Sequence, residues 1–221
     1  MTSLPVTRIL IVGGGTAGWM AAAGLRRMLP EKDYSVSLIE SDQIGTVGVG
    51  EATLPHIKLF NDMLGIDEAE FMSGTGATFK LGIEFRNWFR AGESYIHPFG
   101  AFGEPWGGVD FQHHWMRARM LGLNPRPLQD YSLAIRLARE NRFAFPGKDP
   151  GSIGSTFSYA YHFDASRYAD FLRRWSIERG VQRIEGRITT VHRNGASGDL
   201  TSVMLETGEE LAADFFVDCS G

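Results

Sequence analysis

A strand, a glycine turn and a helix stand near the start of this chain and constrain its fold more than any other feature. Arg8 opens the short apolar run Ile9-Leu10-Ile11-Val12, rich in β-branched residues, and Gly13-Gly14-Gly15-Thr16-Ala17-Gly18 follows at once. Good helix formers, Trp19-Met20-Ala21-Ala22-Ala23-Gly24-Leu25, then predict a helix that ends before Pro30. Gly13, Gly15 and Gly18 fall at the G-x-G-x-x-G spacing. A pyrophosphate site needs that spacing for a sharp turn, for close backbone approach and for close packing of helix on strand. The amino terminus of the helix then presents its unpaired N–H groups to phosphate. Residues 34–39 predict a second strand that ends in Glu40, 22 residues after Gly18. An acid there accepts hydrogen bonds from a ribose hydroxyl and favours FAD or NAD over a 2′-phosphorylated cofactor.

The rest of the chain bounds the answer. At 221 residues there is room for one large α/β domain, and two full domains would be a squeeze. An apolar fraction of 43% with 22% charged residues is that of a soluble globular protein. A net charge of −4 offers no basic stripe for a phosphate backbone, so nucleic acid is not an expected partner. Residues 1–7 carry no positive cluster, and Ile9-Leu10-Ile11-Val12 is too short for a signal-peptide core. No stretch approaches the length that spans a bilayer, so no membrane association is expected. The single cysteine, Cys219, excludes an internal disulfide framework and a thiolate metal cluster, no metal site is expected, and the expected compartment is the reducing cytoplasm. Residues 124–127 and 145–155 concentrate Pro, Gly and Ser and read as loops.

The far end separates FAD from NAD. Asp164 is placed to cap a helix over residues 165–179, with Tyr168, Phe171, Leu172 and Trp175 on one face and Gly180 as its stop. Strand-like segments follow at 186–193, 200–206 and 209–217, separated by Asn194-Gly195, Gly198-Asp199 and Thr207-Gly208. A meander that returns by a buried strand into Asp218-Cys219-Ser220-Gly221 resembles glutathione-reductase-type FAD proteins. The end of the sequence falls where a strand would hand over to a loop, so a longer parent protein is expected.

Between these ends, residues 77–86 alternate, with apolar side chains at Phe79, Leu81, Ile83 and Phe85 and small or charged ones at Thr78, Lys80, Gly82, Glu84 and Arg86. That period of two predicts one strand with one buried face. Taken alone it puts Lys80 on the polar face, where Glu84, two strand steps away, would hold it in an ordinary surface ion pair.

Three stretches together give Lys80 a different reading. Gly13-Gly14-Gly15-Thr16-Ala17-Gly18-Trp19, then Val47-Gly48-Val49-Gly50-Glu51-Ala52-Thr53-Leu54-Pro55, then the block from Tyr159-Ala160-Tyr161-His162-Phe163-Asp164-Ala165 to Gly221 resemble the flavin-dependent halogenases. The resemblance covers nearly the whole chain, and the second stretch is its most specific part. It implies a glutathione-reductase-type FAD-binding Rossmann fold of the α/β class, with a β-meander and an inserted helical and strand segment. One FAD-binding domain would span 1–221, with nucleotide-binding parts near 1–55 and 156–221 and the halogenation segment near 56–155. Gly13, Gly15, Thr16, Ala17, Gly18, Glu40, Asp218 and Gly221 would hold the nucleotide. Residues 48–53 would form a strap over the flavin ring, with Gly48, Val49, Gly50 and Ala52 at the cofactor and Thr53 at the halide. Glycines let the chain approach closely where halide and reduced flavin must meet away from water.

The resemblance further implies an activity. FADH2 from a separate flavin reductase, with oxygen and chloride or bromide, gives hypohalous acid. Lys80 receives it and delivers it to an electron-rich aromatic such as tryptophan or another indole. A lysine serves either as an ammonium that polarises hypohalous acid or as a desolvated amine that forms a haloamine. His97 and Phe99, in His97-Pro98-Phe99-Gly100, would line the aromatic substrate, and His114-Trp115 resembles a motif further along. Besides the small aromatic and the reductase, the expected partner is a second copy of the chain in a homodimer.

Two departures stand against a complete enzyme. The family's W-x-W-x-I-P signature is absent from the five tryptophans, Trp19, Trp88, Trp106, Trp115 and Trp175, and the glutamate that pairs with the lysine lies in a part of the family not represented here. The fragment alone is expected not to turn over. Alternative readings are a flavin monooxygenase that hydroxylates an aromatic without halide, or a non-catalytic flavin-binding fragment.

Overall fold

The computed structural model describes residues 7–44 and 50–221. In chain order its elements are β1 (Arg8–Val12), α1 (Thr16–Met28), β2 (Ser35–Glu40), β3 (Gly50–Ala52), α2 (His56–Leu64), α3 (Glu68–Thr75), β4 (Thr78–Lys80), β5 (Gly82–Arg86) and β6 (Ser94–Pro98). There follow α4 (Phe111–Met120), α5 (Leu133–Arg139), β7 (Ala160–Asp164), α6 (Ala165–Ile177), β8 (Gln182–Glu185), β9 (Ile188–Arg193), β10 (Leu200–Leu205), β11 (Glu210–Ala212) and β12 (Phe215–Asp218). The chain divides into two compact units. One holds Met1–Glu51, Phe60–Ala77 and Phe163–Gly221, and the other Ala52–Leu59 and Thr78–His162. Residues 60–77, expected within the inserted segment near 56–155, cluster with 1–51 and 163–221.

In the first unit a parallel sheet runs β12-β1-β2-β8, with β9, β10 and β11 forming an antiparallel meander. The unbroken apolar run of β1 exists because both of its faces are covered. Leu10 joins Ile39, Val203, Leu205 and Ala213 in a cluster shared with the meander, and Ile9 and Ile11 are also buried. Helices α1 and α6 pack together, each with buried alanines (Ala22 and Ala23; Ala165 and Ala169). Asp164 caps α6 by accepting from the Arg167 N–H at 3.0 Å, as the sequence predicts. Phe71 on α3 meets Phe163, Tyr168 and Phe171 edge to face, an aromatic core for the helical side of this unit.

Three expectations about strands are corrected. The segment 209–217 is two strands: β11 closes the meander, while β12 joins the parallel sheet beside β1 and is half-exposed rather than buried. Residues 182–185, not expected as a strand, extend the parallel sheet beside β2. The stretch 77–86 is also two strands, because its pairing partner changes at Leu81: β4 pairs with β7, and β5 pairs with β6. Gly82 permits the change, since a Cβ there would lie 2.6 Å from the His97 carbonyl oxygen.

The second unit holds β4, residues 160–162 of β7 paired with it, the hairpin β5–β6 and helices α4 and α5. One face of the β4–β7 pair is aromatic. Phe79 stacks on Phe143 with centroids 3.6 Å apart, and Phe145, Tyr159 and Tyr161 close around it. Of the apolar positions in 77–86, Phe79 fills this cluster, while Phe85 packs on Tyr95 and Trp88 beside the β5–β6 hairpin. The opposite face carries Thr78, Lys80, Ala160 and His162, since residues opposed in an antiparallel pair point the same way.

Candidate functional site

The glycine turn makes the mouth of a cavity of about 620 Å³ in the first unit, lined by Gly13, Gly14, Gly15, Thr16, Ala17, Glu40, Ser220 and Gly221 among others. Two glycines are obligatory. Gly13 adopts φ +106°, where side chains are rarely found, and a Cβ on it would strike the Cys219 carbonyl; a Cβ on Gly18 would strike the Gly13 carbonyl. Helix α1 opens from this loop with no acidic residue of its own in the first turn. Thr16 donates its hydroxyl to the Ala165 carbonyl at 3.3 Å, tying the helix start to α6. A backbone-lined turn, a helix amino terminus and an acid at the tip of β2 suit the pyrophosphate and ribose of FAD.

Glu40 lines this cavity as the spacing expects, but its carboxylate is engaged. It accepts from Trp19 Nε1 at 3.2 Å and from Arg183 Nε, and Arg173 stands 3.7 Å away. The hydrogen bond to Glu40 raises the Arg183 pKa further, and Asp42 and Glu185 add to it. Sequence reasoning missed Arg183 and Arg173. Arg183 lies on the unassigned strand β8, 143 residues from Glu40, and no local pattern signals such a pairing. It missed Gly14 as well, whose lack of a side chain lets the Glu40 carboxylate lie against the turn.

Of the nucleotide residues near the end, Gly221 lines the cavity and Asp218 does not. Asp218 accepts from the Ser220 N–H at 2.9 Å, and its hydrogen bonds to Ser220 hold its carboxyl below the usual range. Of the strap, Gly48 and Val49 lie outside the described residues. Gly50 and Ala52 are exposed on β3, and a Cβ on Gly50 would meet nothing.

In the second unit Lys80 is buried, 5% exposed, rather than on a solvated face. Its Nζ donates to the Thr53 carbonyl at 2.7 Å and stands 5.3 Å from the Phe99 ring centroid, within cation–π range. Glu84 does not hold it. That carboxylate binds Arg86 at 2.7 Å, so the surface ion-pair reading is corrected. Burial lowers the Lys80 pKa. It also lowers that of His162, with the nearby Lys80 charge adding to the effect. Lys80 and His162 line a cavity of about 600 Å³ with Phe79, Phe143, Arg139 and Arg142. Phe99 is buried beside Lys80, whereas His97 is exposed on β6. Thr53 is fully engaged: its N–H and its hydroxyl both donate to the Tyr161 carbonyl, at 3.0 and 2.9 Å, and the hydroxyl accepts from the Tyr161 N–H at 3.2 Å.

Known proteins give this geometry a context. A family model described as tryptophan halogenase matches residues 8–221. Tryptophan 7-halogenase RebH of Lentzea aerocolonigenes is 38% identical over 98% of this chain and 42% of its own length. Tryptophan 6-halogenase SttH of Streptomyces toxytricini is 34% identical over 97% and 44%. The chain thus spans less than half the length of these curated relatives. Among solved structures, Xcc4156, a flavin-dependent halogenase from Xanthomonas campestris, superposes with a TM-score of 0.88 at 48% identity, over 98% of this chain and 42% of that one. BrvH, a flavin-dependent halogenase from Brevundimonas sp. BAL3, does so with 0.90 at 39%, over 98% and 43%. Since the family match runs from β1 to the last residue, through the glycine turn and Lys80, the chain belongs to the tryptophan halogenase family.

Proposed function

We propose that this chain is the FAD-binding and lysine-bearing portion of a flavin-dependent halogenase that chlorinates or brominates an electron-rich aromatic, tryptophan or another indole. The observation that carries the reading is Lys80: a buried primary amine whose Nζ is aimed by a backbone carbonyl and an aromatic face, with no ion pair to a carboxylate among the described residues. When bound, reduced FAD would supply two of the four electrons that reduce oxygen, and chloride or bromide the other two, giving oxidised FAD, hypohalous acid and water. Gly13, Gly15, Thr16, Ala17, Gly18, Glu40 and Gly221 would hold the cofactor, Asp218 would steady the turn that carries Gly221, and the strap residues Gly48, Val49, Gly50 and Ala52 would cover the flavin.

Lys80 has the two properties the transfer asks for. Its N–H groups can hydrogen-bond hypohalous acid and polarise the O–halogen bond, and its burial keeps bulk water from consuming the oxidant. Phe99 beside it, just past the end of β6, offers an apolar face to an aromatic acceptor, with His97 on β6 two residues earlier. The cofactor would arrive reduced from a separate flavin reductase in the cytoplasm, and the protein would work as a homodimer. The named relatives halogenate different ring positions, so this reading stops at the aromatic class.

Lys80→Ala in the full-length protein tests the assignment. Halogenated product should vanish while FADH2 oxidation continues, and product formation in the parent should require chloride or bromide. A persisting chlorine isotope pattern in Lys80→Ala would end the assignment, and halide-independent hydroxylation would replace the reaction class.

A further inference from the structure

The lysine is held across a strand, and the holding group is unusual. In the sheet order β3-β7-β4, Lys80 lies on β4 and Thr53 directly follows β3, so Lys80 Nζ reaches the Thr53 carbonyl by crossing β7. Two strand spacings are roughly 10 Å, close to the reach of an extended lysine plus one hydrogen bond. The residue opposite Lys80 on β7 is Ala160, fully buried, whose methyl leaves the path open. The end of the path is fixed by side-chain chemistry. Thr53 doubles its backbone bond to Tyr161 with a hydroxyl that donates to the Tyr161 carbonyl and accepts from the Tyr161 N–H. A residue without a hydroxyl would keep only the single N–H bond, and its carbonyl would be free to turn.

We propose that Thr53 is a positioning residue for Lys80: its hydroxyl locks to the Tyr161 backbone and thereby fixes the carbonyl that orients Nζ. This rests on the reading of Lys80 given above. It also gives Thr53 work that does not involve halide, since both of its donors already point at Tyr161. With one ammonium hydrogen given to that carbonyl and another side turned to Phe99, a remaining N–H would serve an incoming oxidant.

The experiment uses the full-length, FAD-loaded protein with Thr53→Val, which removes the hydroxyl at constant size, and Thr53→Ser, which keeps it. Three quantities are read: halogenation rate per FADH2 oxidised, KM for chloride and bromide, and the Lys80 13Cε resonance, assigned by its loss in Lys80→Met. Thr53→Val should lose about ten- to hundredfold in halogenation rate, because small misplacements of a reacting group cost that much. It should also move the Lys80 resonance and its titration while leaving flavin oxidation and halide KM unchanged. Thr53→Ser should restore both the rate and the resonance. If Thr53→Val does not bind FAD, Thr53→Ala against Thr53→Ser makes the same comparison. A parent-like rate and resonance in Thr53→Val would overturn the proposal. So would a raised halide KM with an unmoved Lys80 resonance, or a serine variant as poor as valine. Should Lys80→Ala itself keep halogenating, the reading of Lys80 has failed; the resonance still reports independently whether Thr53 orients the amine.

Discussion

Gly13→Ala is the sharpest perturbation of the proposed nucleotide site, because its cost follows from backbone geometry alone. At φ +106° an alanine leaves its allowed region, a strain of about 1–3 kcal/mol. Its Cβ would also lie 2.6 Å from the Cys219 carbonyl carbon, closer still to the oxygen, and 3.0 Å from Ser220 Cα. These are main-chain atoms, and the Cys219 N–H is tied to the Val12 carbonyl at 2.8 Å, so they cannot swing aside as a side-chain tip would. Relieving such a clash costs a further ~1–3 kcal/mol. Together the substitution should destabilise the protein by roughly 2–6 kcal/mol, a large share of the ~5–15 kcal/mol that holds a domain folded. Relief by moving the turn would shift the N–H groups at the cavity mouth, and each ~1.4 kcal/mol of lost contact weakens FAD binding about tenfold. Urea unfolding followed by tryptophan fluorescence measures the first effect, and FAD fluorescence titration the second. The control is Gly195→Ala, at a glycine with open space around it and no positive φ, which should match the parent in both. A Gly13→Ala protein within about 0.5 kcal/mol of the parent and with unchanged FAD affinity would refute the reasoning, since that is the range of an inconsequential surface change.

Asp214 accepts from the Thr7 and Arg8 N–H groups and from the Arg8 guanidinium, and the Arg8 side chain above all holds its carboxyl far below the ordinary value of 3.8. A depressed folded pKa contributes stability that is complete above the unfolded pKa and is lost as pH falls toward the folded one. Asp214→Asn should therefore lower Tm at pH 7, with a gap to the parent that narrows below pH 3.8 in a pH series of melts; a gap that widens in acid would contradict the pairing. Tyr168 donates to the Asn61 side-chain oxygen at 2.7 Å in the buried core of the first unit, and burial raises its pKa. Tyr168→Phe strands that oxygen and should cost about 1–3 kcal/mol by urea unfolding, whereas a neutral result would mean that Asn61 finds another donor.

Local chemistry was legible wherever a pattern completes itself within a few residues. Strand β1, the turn from Gly13 to Gly18, helix α1, the acid at the tip of β2 and the Asp164 cap stand where spacing and capping rules place them. The alternation at 77–86 was legible too, and it correctly sends Phe79 into an aromatic cluster. What it could not convey is that the pairing partner changes at Leu81, because a period of two continues unbroken through a change of partner. Nor does such a period say which faces are covered. The face expected to meet water is closed over Lys80, whose acceptor lies 27 residues earlier in the chain.

The sequence by itself thus determined the class of fold, the glycine turn between β1 and α1 and the amine worth asking about, because each rests on backbone conformations and periodicities that neighbouring residues dictate. Tertiary structure decided what surrounds those groups. Glu40 is gripped by Arg183 from a strand far along the chain, and Thr53 turns its donors to Tyr161 and its carbonyl to Lys80. Such pairings depend on which segments the folded chain brings side by side, and no short-range pattern encodes neighbours that lie 27, 108 and 143 residues apart.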